Sequence, residues 1–186
     1  EMNSGLQFYN GMTSKEIQSI LIKSAADLIS LETPNYQFVA ARLLLFQIRK
    51  SVFNTKWKDS KIYPPLKDIV TRNINYNVYD EELITYYDDE EWDMLDSYMK
   101  HDRDMLFTYA GLRQVVDKYL VQDRSDGKIF ESPQYMYMLI SAVLFKNYPK
   151  EKRLTYVKRY YEAVSTFKIN IPTPIMAGLR TPLRQF

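Results

Sequence analysis

The only histidine of the 186 residues, His101, sits in the run Lys100-His101-Asp102-Arg103-Asp104. An imidazole beside carboxylates has the parts of a general base. No serine or cysteine nucleophile stands next to it, so the run reads as a helix-end or salt-bridged structural histidine. A second run, Asp88-Asp89-Glu90-Glu91, carries carboxylates of the kind that hold cations. Contiguous carboxylates fan around a helix instead of converging on one ion. The run therefore reads as a helix start, where acids meet the positive end of the dipole. No catalytic set and no metal set emerges.

Cysteine is absent, so these residues offer no disulfide, no zinc thiolate and no thiol nucleophile. Neither a P-loop nor a dinucleotide glycine fingerprint occurs, and five glycines leave little for a glycine-rich phosphate cradle. Phosphate can still be held at a helix N-terminus. Thr13-Ser14 and Thr173 are the candidate places, and each also reads as an ordinary cap or turn. The tail Ile171 to Phe186 holds Pro172, Pro174 and Pro182, two threonines and the arginines Arg180 and Arg184. A proline-stiffened loop presents a hydroxyl to an anionic ligand at small ordering cost. It serves equally well as a linker into a following domain, and the residues alone leave both readings open.

The elements that must position these residues are helical. Length predicts one domain plus a small appendage, with roughly 70% of the unfolded surface buried. The composition is that of a globular protein, 46% hydrophobic and 26% charged, with a net charge of +2 from 25 basic and 23 acidic residues. That balance argues against a nucleic-acid or acidic-membrane partner. No apolar run approaches the ~20 residues needed to span a bilayer, and residues 1–12 lack a signal-peptide pattern. The expectation is a soluble cytoplasmic protein. The 16 tyrosines fall mostly at helical spacing among Leu, Ile and Val, which predicts buried rings with wet hydroxyl tips.

Thr13 and Glu16 stand at capping-box spacing, and Ile17, Ile20, Leu21, Ala25 and Leu28 follow with helical period. A helix is expected over about 14–30. Thr33-Pro34 reads as a cap and first turn for a second helix, with Phe38, Ala41, Leu44, Leu45 and Ile48 on one face, ending at Arg49-Lys50. Residues 51–79 are less periodic, and Tyr63-Pro64-Pro65 suggests a boundary between about 52 and 66. Tyr119–Val121 and Lys128–Phe130 flank an Asp-Gly turn, a hairpin signal. Ser132-Pro133 caps a further helix, and Pro149 opens the last, through about Thr166. The predicted class is mainly α, a helical bundle with one short hairpin.

Six stretches carry a resemblance. The tail Pro172 to Phe186 (PTPIMAGLRTPLRQF) resembles the entry to the catalytic barrel of class I ribonucleotide reductase large subunits. Lys118 to Gln134 (KYLVQDRSDGKIFESPQ), Tyr156 to Pro174 (YVKRYYEAVSTFKINIPTP) and His101 to Gln114 (HDRDMLFTYAGLRQ) are similar to that family's helical domain. Asn10 to Ser30 (NGMTSKEIQSILIKSAADLIS) and Tyr36 to Lys50 (YQFVAARLLLFQIRK) resemble later helices of its ATP cone. The likeness runs from about residue 7 to 186.

The resemblance implies three parts: partial ATP-cone helices over 1–52, a helical domain over 53–170, and a proline-rich loop over 171–186 leading into a catalytic α/β barrel. It implies that Thr173 contacts substrate. Ser14, its neighbour Thr13, and Lys50 stand where the family binds an ATP or dNTP effector. Two departures accompany the match. The family often has histidines where this sequence has Gln18 and Gln47, and the family's amino-terminal strand region lies before residue 1. In the family Ser-Ser-Cys follows the position of Phe186, so the redox cysteines are expected beyond it.

The implied activity is reduction of ribonucleoside diphosphates, and these residues alone supply no sulfur for it. The eight methionines have no S–H to give. The implied partners are a carboxy-terminal large-subunit piece, a small subunit with a diiron-tyrosyl radical, and thioredoxin or glutaredoxin. No cofactor is expected on this chain. Two other readings are a stand-alone helical nucleotide-binding or subunit-interaction module, and a helical domain with no ligand.

Overall fold

A computed structural model describes residues 8–54 and 63–183. The expectations for residues 1–7, most of the boundary at 52–66, and Arg184 lie outside the described residues. Eight α-helices and one hairpin follow in chain order among the described residues.

Helix α1, Ser14–Asp27, starts at the expected capping box: Glu16 N–H donates to the Thr13 hydroxyl at 3.2 Å, and Glu16 carboxylate accepts Thr13 N–H at 2.7 Å. Helix α2, Tyr36–Phe53, begins two residues later than Thr33-Pro34 predicts. Asn35 occupies the cap position without a side-chain bond, because the Thr33 hydroxyl donates back to Leu28 O at 2.6 Å and closes the preceding turn instead. The α2 core face is as expected, with Ala41, Leu44, Leu45 and Ile48 buried.

Helix α3, Leu66–Asn75, forms in the weakly periodic stretch. Its start is held from outside: Leu66 N–H donates to Asp96 at 2.7 Å. Helix α4, Asp89–Tyr98, opens on the acidic run, and Asp88 with Glu91 completes a second capping box. A short 3-10 turn spans His101–Leu106, and α5, Tyr109–Lys118, follows with Thr108 as its side-chain cap. The hairpin pairs β1, Gln122–Asp123, with β2, Lys128–Ile129, in antiparallel register. Strand β1 begins later than predicted because Tyr119 still closes α5, with its N–H bonded to Val115 O, whereas β2 begins at Lys128 as expected. Asp123 and Asp126 carboxylates each accept a turn N–H at 2.8 Å, and Gly127 supplies the left-handed φ of +72° that L-residues avoid.

Helix α6, Pro133–Phe145, is apolar on every side and lies at the centre, with Tyr135 to Ile140 at or near zero exposure. A helix without a polar face must be surrounded. Helix α7, Lys150–Ser165, lies along it, and α2 packs on α1 and α5. Each Leu or Ile taken from water in this core contributes ~2 kcal/mol. The tyrosine tips are drier than the sequence predicts. Tyr87, Tyr135 and Tyr161 donate to Ala142 O, Pro64 O and Gln134 at 2.8, 2.5 and 2.7 Å inside the fold.

The tail departs from a simple loop. The chain leaves helix after Ser165, where Phe167 takes a left-handed φ of 60° and Lys168 N–H bonds Ala163 O at 2.9 Å, and Pro172 keeps the same helix from continuing. It then makes a further short helix, α8, Thr173–Gly178, with Pro174 in its first turn, where the missing N–H costs nothing. Helix α8 packs on α6.

Candidate functional site

His101 does not sit as a general base would. Its ring stacks on Tyr63 at a centroid distance of 3.7 Å, and its Nδ1 has no hydrogen-bond partner among the described residues. Burial, reinforced by the nearby Arg49 charge, pushes its pKa down to about 4. A neutral, half-buried ring against tyrosines is a packing element. The structural reading holds, through stacking and without an ion pair to the neighbouring acids. Asp104 is fully buried: Gln134 donates to it at 2.8 Å, Arg49 lies 3.7 Å away, and burial raises its carboxyl to about 7. The acidic run is spent on structure. Asp88 pairs with Lys150, Asp89 with Lys67 at 2.6 Å, and Glu91 with Arg153. Among the described residues no three His, Asp or Glu side chains converge to hold a metal.

Ser14 and Lys50, 36 residues apart, meet. Lys50 Nζ donates to the Ser14 hydroxyl at 3.4 Å, a long contact that leaves both atoms usable. They line a cleft of ≈ 800 Å³ together with Gln18, Gln47, Arg113 and Lys128. The first four come from the facing sides of α1 and α2. Arg113 of α5 and Lys128 of β2 stand on the opposite wall, and nothing local to either singles it out. Gln18 is oriented by donation to Leu43 O at 2.8 Å. Thr13 stands beside Ser14, but its hydroxyl is engaged with Glu16, as donor at 2.7 Å and as acceptor. It is not among the residues lining the cleft. A lysine at such a cleft suits a phosphate as a point charge.

Thr173 lies elsewhere, at the start of α8 and exposed. Its hydroxyl is 3.3 Å from the Tyr119 hydroxyl. Close by is a second pocket, ≈ 560 Å³, lined by Thr108, Gln114, Tyr119, Asn170 and Met176 among others. Hydrogen bonding from Thr173 and Gln114 holds the Tyr119 phenol below its ordinary pKa.

The two arginines of the tail are not two ligand-facing cations. Arg180 is completely buried. Its Nε reaches both oxygens of Glu131 at 3.1 and 2.8 Å, its Nη1 donates to Met176 O at 2.6 Å, and its Nη2 donates to Tyr119 O at 2.8 Å and to Glu131. Glu131 also accepts the Tyr79 hydroxyl and Val121 N–H, so the buried pair is fully hydrogen-bonded. Burial, reinforced by the Glu131 charge, keeps the Tyr79 phenol protonated, well above its usual pKa. This network clamps α8 onto the hairpin's exit and the end of α5. No sequence signal distinguishes Arg180 from an exposed arginine; only its partner, 49 residues away, decides it.

Residues 105–184 match the family model described as "Ribonucleotide reductase, all-alpha domain". Over its whole length the chain is 49% identical to "Ribonucleoside-diphosphate reductase 1 subunit alpha" of Escherichia coli (strain K12), of which it covers 24%. It is 50% identical, with the same coverage of both sequences, to the subunit alpha of Haemophilus influenzae. Against that of Enterobacteria phage T4 it is 49% identical over 95% of this chain and 23% of the relative.

Residues 105–184 are a ribonucleotide reductase all-alpha domain, and the chain along its whole length is similar to ribonucleoside-diphosphate reductase alpha subunits. It spans about a quarter of the length of the curated relatives it matches, and the match is to their amino-terminal region. Within the all-alpha ribonucleotide reductase domain fall α5 to α8 and the hairpin, and with them Thr173, Tyr119, Glu131 and Arg180. Ser14 and Lys50 lie ahead of the matched domain, in the region covered by the alpha-subunit relatives. No helix among the described residues is long and apolar enough to cross a membrane.

Proposed function

We propose that these residues form the amino-terminal part of a ribonucleoside-diphosphate reductase alpha subunit and contribute to reducing ribonucleoside diphosphates to deoxyribonucleoside diphosphates. The observation that carries this reading is identity near 50% along the entire chain to subunits of that name. In this reading residues 1–52 are ATP-cone helices, 53–170 the helical domain, and 171–186 the approach to a catalytic barrel.

The division of labour follows from the side chains. With no cysteine, these residues supply no thiol to the reduction, so the thiols come from the barrel. Thr173 gives the substrate a hydroxyl contact. The cleft at Ser14 and Lys50 takes the phosphates of an ATP or dNTP effector, with Gln18 and Gln47 flanking it. Thr13 serves that site indirectly, by starting α1. The barrel, the small radical-generating subunit and its diiron-tyrosyl centre, and thioredoxin or glutaredoxin complete the enzyme, in the cytoplasm.

The test is reconstitution. This chain is mixed with a large-subunit piece that begins at the barrel and with the small subunit, and CDP reduction is measured. Activity that needs all the components supports the reading. A stand-alone nucleotide-binding module is the outcome if the chain binds ATP while reconstitution gives no reduction.

A further inference from the structure

We propose that Tyr119 is a second substrate-contact residue, acting with Thr173 as a pair of hydroxyl donors on the nucleoside diphosphate. The inference rests on the reading of Thr173 as a substrate contact. Three observations on the structure carry it.

The first is adjacency. The two hydroxyl oxygens are 3.3 Å apart, and the contact is at the surface. Each hydroxyl has one proton and two lone pairs. A pair this close can share one hydrogen bond between themselves, or turn both protons onto one anionic oxygen placed over them. Lys118, next in the chain, acts electrostatically on the Tyr119 phenol and adds positive charge beside the pair.

The second is rigidity on both sides. Tyr119 is not a loose loop residue. Its N–H is bonded to Val115 O and its carbonyl accepts Arg180 Nη2 at 2.8 Å. The same guanidinium holds Met176 O of α8 at 2.6 Å, and α8 begins at Thr173. One buried arginine therefore fixes the backbone of both hydroxyl carriers, and Glu131 fixes the arginine. Precise placement of donors before the ligand arrives removes ordering cost from binding. The buried Arg180–Glu131 pair has no access to a ligand, so its contribution is positioning.

The third is the pocket. Tyr119 is shared between the Thr173 contact and the ≈ 560 Å³ pocket, whose other lining residues with polar side chains are Thr108, Gln114, Tyr137 and Asn170. Thr173 alone would offer an isolated exposed hydroxyl. Through Tyr119 the contact becomes the edge of a concave site that mixes apolar walls with few polar groups, the usual form of a small-molecule site.

The experiment uses the complete alpha subunit that carries this segment. Tyr119→Phe, Thr173→Ala and the double variant are compared with the parent for CDP affinity by equilibrium dialysis, for KM and kcat, and for Tm. Tyr119→Phe keeps the ring, so Tm is expected to hold. CDP affinity is expected to fall about tenfold in each single variant, as for loss of a hydrogen bond to a charged group. In the double variant the losses combine to less than their product, because both hydroxyls serve one oxygen. A weakened Thr173→Ala beside an unchanged Tyr119→Phe overturns the inference and leaves Thr173 in place. Unchanged affinity in both removes Thr173 as well, and with it the reading beneath. A lower Tm in Tyr119→Phe with parental CDP affinity shows a structural hydroxyl only and also overturns it.

Discussion

Single residues in this domain are decided by what burial does to their charge. His101 is held neutral by burial, reinforced by the Arg49 charge, while its ring stacks on Tyr63. Its ring proton signals, followed by NMR from pH 8 downward, should show no inflection until about pH 4; a midpoint near 6.5 would contradict the packing role. Asp104 is the opposite case. Its folded-state pKa lies at about 7 against an ordinary 3.8, so between those values the native state holds a proton that the unfolded chain has lost. The wild type therefore loses stability as pH rises through that window. Asp104→Asn has no such loss, and its Tm relative to wild type should climb steadily from pH 4 to 7. A difference that stays flat with pH would show that Asp104 is ionised throughout. The Arg180–Glu131 pair is a third case. A buried charge stripped of its partner is costly, so Glu131→Gln should lower unfolding stability by about 3–5 kcal/mol in urea titrations.

At the level of elements, local rules account for where most helices start. Thr13 with Glu16 and Asp88 with Glu91 form both bonds of their capping boxes, the first expected from its spacing and the second only as an acidic helix start. Ser14→Ala and Thr13→Ala should therefore part company. Thr13→Ala should cost ~1 kcal/mol of stability through the lost cap. Ser14→Ala should leave stability nearly unchanged and weaken ATP binding, measured calorimetrically, since its hydroxyl faces Lys50 in the cleft. Equal effects of the two on nucleotide affinity would remove the distinction. Local rules fail where a side chain finds a better partner than the nearest helix end. Thr33 bonds Leu28 O and gives up the cap of α2. Ser132 precedes α6 at the right spacing, yet its hydroxyl is buried without a partner among the described residues. Helix α3 buries Leu66, Ile69, Val70 and Asn73 at helical spacing, but its start could not be read locally because Asp96 of α4 binds its first N–H.

Among the described residues an apolar face stays open. Met105, Leu106, Phe167 and Ile169 are 40–52% exposed around the pocket that Tyr119 edges. The tail folds back through Arg180 but leaves this face open. Apolar groups gathered in this way on a surface mark contact with another body. The isolated chain should self-associate or bind an environment-sensitive dye, and Phe167→Ser should reduce either signal in light scattering or fluorescence. A monodisperse monomer that binds no dye would mean the face is adequately solvated as it stands.

Local pattern was enough for the mainly helical class, the hairpin, the starts of α1, α4, α6 and α7, and the likeness to ribonucleotide reductase large subunits. Those depend on patterns three or four residues apart, or on motifs long enough to be distinctive. Thr13, Ser14 and Thr173 stood out as hydroxyls at helix starts or turns, and Lys50 through resemblance alone. That Ser14 meets Lys50, that Thr173 touches Tyr119, and that Arg180 is buried and unavailable came only from the folded chain. The physical reason is separation along the chain. The deciding pairs are 36, 49 and 54 residues apart, and whether a polar side chain meets water, a ligand or a buried partner depends on packing that no local window contains.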